Sequence, residues 1–430
     1  MNTRRERSGP RMKTLLVNPN RYQNPPVPPI GLEYLHSALG SSRHESRILD
    51  LCFEQDPAAS LERQIEDFQP RAVMISVRNI DSAVFHNNVF FLDEIKPLVQ
   101  LVRDKGLPSI LGGSGFSFSP RGVLDYLGAD FGVSGPGENA VARLLDLLER
   151  GNLAKGTVID GWQVGVDPDL SITGRGLQID YGKYIARGGI VGFETQKGCL
   201  EKCSYCPEGS AARMFHRNPA RIVEELQELA GRGHCEFHLC DTEFNHDLDF
   251  CHRFLETLID RGPSIGWVLY MKTSPYDEGL FRLLKKSGAH LVTLSVPTGP
   301  DSLNHAAKVC RLAKKHGIRL AVDFLCGFPG QNVESVAGAI EALRRMGPDT
   351  VGIINAIRLY PGTGVTRTVS GSPEECRSYL RGETVDNHSF IRPVFYEGIS
   401  IDQLREIIGD DPLFKIEGFE RTSNYERLRK

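Results

Sequence analysis

Three cysteines in this chain are grouped tightly enough to act together: Cys199, Cys203 and Cys206, in the run Gly198-Cys-Leu-Glu-Lys-Cys-Ser-Tyr-Cys-Pro207. Thiolates are the ligands of iron–sulfur clusters, and a [4Fe–4S] cluster is usually completed by four of them. Three thiolates hold three irons and leave one iron open to a chelating small molecule. Zinc is the competing reading, but zinc ribbons favour CxxC pairs and need a fourth ligand, for which His216 is the nearest histidine. Three inert thiols are the other alternative. The remaining cysteines, Cys52, Cys235, Cys240, Cys251, Cys310, Cys326 and Cys376, show no CxxC pairing and read as buried free thiols. With no second cysteine cluster, an auxiliary iron–sulfur site is not expected.

A cluster loop must be carried by something, and the pattern around it is βα alternation. Strands are expected at Ile190–Thr195, Glu236–Leu239, Trp267–Met271, Leu291–Val296, Leu320–Leu325 and Val351–Ile357, with helices between them at Arg221–Ala230, Glu278–Ser287 and Val333–Met346. Six such units predict a partial (β/α)6 TIM-like barrel, whose chemistry lies at the strand C-termini. The cysteines follow its first strand directly. Beyond Pro361 the pattern weakens into Glu374–Leu380, an apolar patch at Val394–Tyr396 and a helix near Ile401–Ile408.

The first 150 residues alternate in the same way. Strands are expected at Thr14–Asn18, Arg47–Leu51, Ala72–Val77, Ser109–Gly112 and Asp130–Ser134, with helices at Gly31–Leu39, Ala58–Phe68, Phe91–Asp104 and Val141–Leu148. This predicts a parallel, doubly wound, Rossmann-like sheet, in which ligands sit beyond the carboxyl ends of the strands. Those ends read Asn18-Pro-Asn20, Arg78-Asn-Ile-Asp81, Gly112-Gly-Ser-Gly115 and Gly135-Pro-Gly-Glu138, and glycines there let a ligand approach the backbone. The expected division is therefore 12–150 for this domain, a glycine-rich linker with one or two short strands over 151–189, the partial barrel over 190–364, and a small helical C-terminal cap over 365–430.

Bulk properties set the remaining bounds. A chain of 430 residues with 40% hydrophobic content can bury a proper core, and a net charge of −3 gives no basis for nucleic-acid or membrane-surface binding. The basic start, Met1–Met12, is followed by no apolar run of signal-peptide type. Apolar runs such as Ile318–Leu325 fall far short of a membrane span. The expectation is a cytoplasmic protein, where thiols stay reduced.

The Cys-x3-Cys-x2-Cys spacing, with the aromatic Tyr205 before the last cysteine, resembles the radical S-adenosylmethionine (SAM) superfamily, and the resemblance recurs at the strand ends of the whole second half. It implies that Cys199, Cys203 and Cys206 are the metal ligands and the catalytic centre. SAM then chelates the open iron through its amino and carboxylate groups, and an electron from the cluster breaks the sulfonium bond to give a 5′-deoxyadenosyl radical. The family usually carries a Gly-Gly-Glu segment after its second strand, to bind the SAM amino group. This sequence has Asp241-Thr-Glu-Phe-Asn245, which keeps an acid at Glu243 as a charged acceptor. The resemblance further implies SAM contacts from Tyr205, Lys272, Ser295 and Arg358, and an adenine-side turn at Gly327-Phe-Pro-Gly330. A solvated loop acid for Glu243, and a salt bridge or strand polar residue for Lys272, Ser295 and Arg358, are the ordinary alternatives.

A Rossmann-like domain ahead of such a barrel resembles the cobalamin-binding subgroup of that superfamily, on the segments Pro28–Leu32, Val77–Asp81 and Gly112–Phe116. The Asp-x-His-x-x-Gly motif whose histidine ligates cobalt in methionine synthase is absent. His36, His44 and His86 are the histidines of this domain, and none has that context. The resemblance then implies cobalamin whose lower face meets Arg78 or Asn79 without a strong bond, with Gly113, Ser114 and Gly115 as further cofactor contacts. A guanidinium has no lone pair to give. The alternative is that Arg78 pairs with Asp81 or caps the following helix. The function implied is a class B-type radical SAM methyltransferase. It would move a methyl group from SAM, via methylcobalamin, to an unactivated centre of a small-molecule, natural-product-like substrate, with a flavodoxin- or ferredoxin-type electron donor. A cobalamin-independent enzyme (rearrangement, cyclisation or aminocarboxypropyl transfer) with a vestigial first domain, and a sensor without turnover, stay open. The run Arg392-Pro-Val-Phe-Tyr396 reads as a lid or as core.

Overall fold

The computed structural model describes residues 12–208, 212–296, 300–384, 387 and 389–419. The chain divides into two compact units, one of residues up to Ile80 together with Phe91–Arg187, the other of Asp81–Phe90 together with Gly188 onward. No helix among the described residues is long and apolar enough to cross a membrane.

The first unit is a six-stranded parallel sheet: β1 (Lys13–Asn18), β2 (Glu45–Asp50), β3 (Ala72–Ser76), β4 (Ser109–Gly112), β5 (Phe131–Ser134) and β6 (Val158–Asp160), in the order β2-β1-β3-β4-β5-β6. Helices cover both faces, so the central strands are buried on both sides and read as unbroken apolar runs, Leu15–Val17 and Ala72–Ile75. Their starts are set by local chemistry. Asp56 caps the helix Pro57–Phe68 from its side chain, with proline at the first helical position. Two helices escape the sequence pattern, Ser114–Phe118 and Pro120–Leu127, because Ser-Gly-Phe-Ser-Phe-Ser-Pro carries turn residues where a helix should begin. The stretch expected as a linker supplies the edge strand β6, and its later part packs on this unit. Arg175 and Glu33 form a buried ion pair at 3.2 Å, and the Gly176 amide donates to Glu33 at 2.7 Å.

The second unit is an open seven-stranded parallel sheet, in the order β18-β14-β13-β12-β11-β10-β7. Its strands are β7 (Val191–Phe193), β10 (Glu236–Leu239), β11 (Gly266–Lys272), β12 (Ala289–Val296), β13 (Arg319–Leu325), β14 (Thr350–Ile354) and β18 (Phe414–Ile416). The outer face is a dry aromatic core in which Phe193, Phe237, Phe244, Phe254 and Trp267 meet edge to face. The inner face begins with the apolar cluster Val268, Leu291 and Ala321, then turns polar toward the strand C-termini. Between β7 and β10 lies the hairpin β8 (Gln196–Cys199) and β9 (Arg213–His216).

Three features differ from the expected pattern. The strand expected over Val351–Ile357 breaks after Ile354, because Asn355 is buried and turns its amide to the Ile399 carbonyl at 3.0 Å. The chain then enters a separate antiparallel sheet, β15 (Ile357–Arg358), β17 (Val394–Tyr396) and β16 (Leu380–Gly382) in the order β15-β17-β16. The cap is thus less helical than expected: the Glu374–Leu380 pattern resolves into the short helix Pro373–Cys376, a 3-10 turn and β16. The chain also returns as β18 to pair with β14.

Candidate functional site

Cys199 ends β8, and the hairpin fixes its backbone against Arg213. Gly198, at φ 82°, makes the approach, and the Thr242 hydroxyl holds its carbonyl at 3.0 Å. The Glu201 amide donates to the Cys199 Sγ at 3.4 Å, and the Cys206 amide to the Cys203 carbonyl at 3.2 Å. Burial pushes the Cys199 and Cys203 thiols up, and each is pushed further by the charge of another cysteine of the set, Cys206 and Cys199 respectively. Thiols held up in this way suit a bound cation, which releases their protons. Among the described residues no three His, Cys, Asp or Glu side chains stand converged at metal-ligand spacing, so the fit to a cluster rests on this donor set. His216 lies elsewhere in the hairpin, its ring stacked on Phe250 at 3.9 Å.

Strand register assembles the rest of the site. Lys272, Ser295 and Asp323 are direct neighbours across β11, β12 and β13, near the strand C-termini on the inner face. Glu243 follows β10 and comes to the same row. The Ser295 hydroxyl bonds its carboxylate, while Oε2 is buried with no hydrogen-bond partner. Burial pushes this carboxyl up to about 8; Ser295 and Lys272 counter it, and Asp323 and Glu201 reinforce it. A buried, half-satisfied acid costs on the order of 1–3 kcal/mol, and a ligand's N–H donor removes that cost. Asp241 cannot share the role, because the Thr195 amide donates to it at 2.8 Å and the Thr195 hydroxyl and Gln196 amide also bond it. Lys272 is engaged by Glu201 of the cysteine loop, and Asn245 fixes its backbone by accepting its amide at 2.9 Å.

Other expected residues have different surroundings. Arg358 is buried and fully committed: it pairs with Asp81 at 2.8 Å, bonds the Phe390 and Ile391 carbonyls at 3.0 Å each, and bonds the Leu359 carbonyl. Its surroundings are therefore those of a structural ion pair rather than of a ligand contact. Tyr205 stands 5.7 Å from Phe328, against the apolar cluster of the small antiparallel sheet. Gly327 is required by packing, since a Cβ there would lie 2.7 Å from the Asn355 carbonyl oxygen. Asp323, Glu201 and His246 were not singled out from the sequence. Asp323 is found by its register with Ser295 in the neighbouring strand. His246 has a side chain with no exposed surface and no hydrogen-bond partner on either ring nitrogen, and burial, then Lys272, pulls it down to about 4.

In the first unit the sheet order reverses between β1 and β3, the switch point at which doubly wound folds bind ligands. A cleft there is lined by Pro19, Asn20, Arg21, Arg78, Asn79 and Glu94, among others. Arg78 and Asn79 are exposed, and among the described residues Arg78 forms no ion pair. The Arg78–Asp81 alternative does not arise, since Asp81 is taken by Arg358. Gly113, Ser114 and Gly115 serve the backbone: the Ser114 hydroxyl and Gly115 amide both donate to the Arg78 carbonyl, at 2.7 and 2.8 Å. A Cβ on Gly113 would lie 2.5 Å from the Val77 oxygen, and one on Gly115 2.8 Å from Asn79. These glycines clasp the ends of β3 and β4, which accounts for them without a ligand. His36 meets Ser46 and Gln178, His44 meets Asp146, and His86 meets Asn355 in the second unit. The cleft presents two cations, two amides and one acid, and no histidine among its described lining residues, a chemistry that fits cobalamin held without a histidine ligand.

Comparison with known proteins agrees with both halves. The B12-binding domain family matches residues 24–145, and the radical SAM superfamily matches residues 193–343. The chain is 24% identical to the tryptophan 2-C-methyltransferase of Streptomyces laurentii, over 87% of this chain and 77% of that protein. Its fold is similar to that of the radical SAM methyltransferase TsrM from Kitasatospora setae, solved with cobalamin and a [4Fe-4S] cluster (TM-score 0.85, 24% identity, 94% and 92% of the two chains). It is also similar to the cobalamin-dependent SAM radical enzyme OxsB (TM-score 0.67, 13% identity, 92% and 66%).

Proposed function

The chain belongs to the radical SAM superfamily and carries a B12-binding domain ahead of its radical SAM domain, and on that premise we propose that it is a methyltransferase acting on a small molecule. The observation that carries the reading is the register row Lys272–Ser295–Asp323, with the unpartnered Glu243 Oε2 beside it and the cysteine loop joined to it through Glu201. When bound, the cluster supplies the electron, SAM the methyl group and the radical precursor, and cobalamin the methyl carrier. The protein's part is placement. Cys199, Cys203 and Cys206 would hold the cluster. Glu243 accepts the ammonium of SAM through Oε2, Ser295 positions that carboxylate, and Lys272 exchanges Glu201 for the SAM carboxylate. Tyr205 lies against the adenosyl side.

We assign cobalamin to the domain 12–150 and SAM to 190–364. Arg78 and Asn79 would help hold cobalamin without ligating its metal, a reading supported by the engagement of His36, His44 and His86 with other partners. The electron donor is a flavodoxin- or ferredoxin-type protein, and the setting is the reducing cytoplasm, which suits thiols that carry a cluster. Methyl-labelled SAM, given to the cluster- and cobalamin-loaded protein with a small-molecule extract of its own organism, tests the function. The expected result is a product carrying the label. A product formed at the expense of SAM without the labelled methyl would assign a rearrangement, cyclisation or aminocarboxypropyl transfer instead.

A further inference from the structure

The cysteine loop has a second attachment, made by the C-terminal region. Ser204 and Tyr205 lie between Cys203 and Cys206, and both are gripped from the segment 357–396. The Val365 amide donates to the Ser204 carbonyl at 2.8 Å. Val365 is in the first turn of the helix Gly364–Gly371, where backbone N–H groups have no partner within the helix. That first turn is itself fixed: the Thr363 side chain caps it, the hydroxyls of Thr363 and Thr366 bond the Tyr360 carbonyl at 3.1 and 2.7 Å, and both threonines are buried. Gly364 lets the two backbones close, because a Cβ there would lie 3.2 Å from the Ser204 oxygen and Cβ and 3.3 Å from its Cα. Tyr205 then packs against the apolar cluster that includes Ile357, Leu359, Val365, Val369, Val394 and Tyr396.

We propose that Gly364 and the Val365 amide act as a positioning clamp, by which the C-terminal sheet and helix hold Cys203 and Cys206 in place for iron. This rests on the reading of the three cysteines as the cluster ligands. Gly364 does not adopt a left-handed backbone, so a side chain there is opposed by space alone. The clamp acts on the Ser204 backbone, and the Ser204 side chain is exposed.

The test is differential alkylation of the metal-free protein, read cysteine by cysteine by mass spectrometry, alongside iron content after anaerobic reconstitution. In Gly364→Val, Cys203 and Cys206 should react roughly five- to tenfold faster than in the parent, about the ratio for loss of one net hydrogen bond. Cys199, held by the β8–β9 hairpin, should be unchanged, and iron per chain should fall. Gly371→Ala lies in the same helix with nothing within 4 Å of the added carbon, and should change neither readout. If Gly364→Val does not fold, Gly364→Ala carries the test, with a smaller change of the same pattern. Uniform reactivity of all three cysteines in a folded Gly364 variant overturns the clamp. Full iron retention in the Cys199→Ala/Cys203→Ala/Cys206→Ala protein would instead remove the cluster reading and leave the alkylation result to stand alone.

Discussion

Arg358 offers the sharpest test of how side chains were assigned, because the family resemblance gives it to SAM and its surroundings give it to the fold. Its guanidinium is 3% exposed and the Asp81 carboxylate 0%, with 2.8 Å between them. Arg358→Met removes the cation and leaves the carbonyls of Leu359, Phe390 and Ile391 without their donor. Asp81 keeps one partner, the Ala83 amide at 2.7 Å, so its charge is not wholly abandoned. Breaking a buried pair from one side costs about 3–5 kcal/mol, and the retained amide points to the lower end. At roughly 2–4 °C per kcal/mol for a unit of this size, the melting transition should drop by about 6–12 °C. In a cycle with Asp81→Asn, the two substitutions should be non-additive by at least about 1 kcal/mol. Thermal unfolding of the four proteins measures this, and SAM titration of the folded variants completes it. Additive stability effects, or an Arg358→Met protein of parental stability that loses SAM binding, would refute the structural assignment and return Arg358 to the ligand.

Glu243→Gln should weaken SAM binding by roughly 1.5–3 kcal/mol, the worth of a charge-assisted hydrogen bond, with iron content unchanged; calorimetric titration reads it, and an unaltered dissociation constant would move the ammonium site elsewhere. His246 is held neutral in the fold to about pH 4, while the unfolded chain takes up its proton near 6.5. The unfolded state thus binds more protons between those values, so stability is lost as pH falls through that window, by on the order of 3 kcal/mol. His246→Phe should flatten this part of the denaturation profile, and an identical profile would exclude His246 as its source. Paramagnetic resonance of the cobalamin-loaded protein should lack nitrogen coupling on the lower face of cobalt, and such coupling would contradict the placement of Arg78 and Asn79.

The regular elements were legible because buried strands leave short apolar runs and amphipathic helices keep a 3.6-residue period: the strands Ser109–Gly112 and Glu236–Leu239 and the helices Val333–Met346 and Ile401–Ile408 have the same bounds in sequence and structure. The cysteine triad stands out in the sequence because its members are local in the chain. What pairs distant residues was not. Asp81 and Arg358 are 277 positions apart, and nothing in their spacing joins them. The strand Phe414–Ile416 has three residues with a lysine in the middle, too short for a period to register, and is defined by pairing with β14. Gly113 and Gly115 looked like a ligand's approach and turned out to face Val77 and Asn79, since a glycine states that something is close without stating what. Asp323 belongs to the site by register with Ser295, a relation between strands that one strand's sequence does not contain.

The most direct test of the central claim is to count S-adenosylhomocysteine formed by the protein loaded with a [4Fe–4S] cluster and cobalamin, supplied with SAM and a low-potential reductant that brings the cobalt to its nucleophilic reduced state, and with no methyl acceptor. The account predicts one equivalent of S-adenosylhomocysteine per bound cobalamin, and none from the same protein without cobalamin. S-adenosylhomocysteine formed equally with and without cobalamin, or none formed by fully loaded protein, would contradict it.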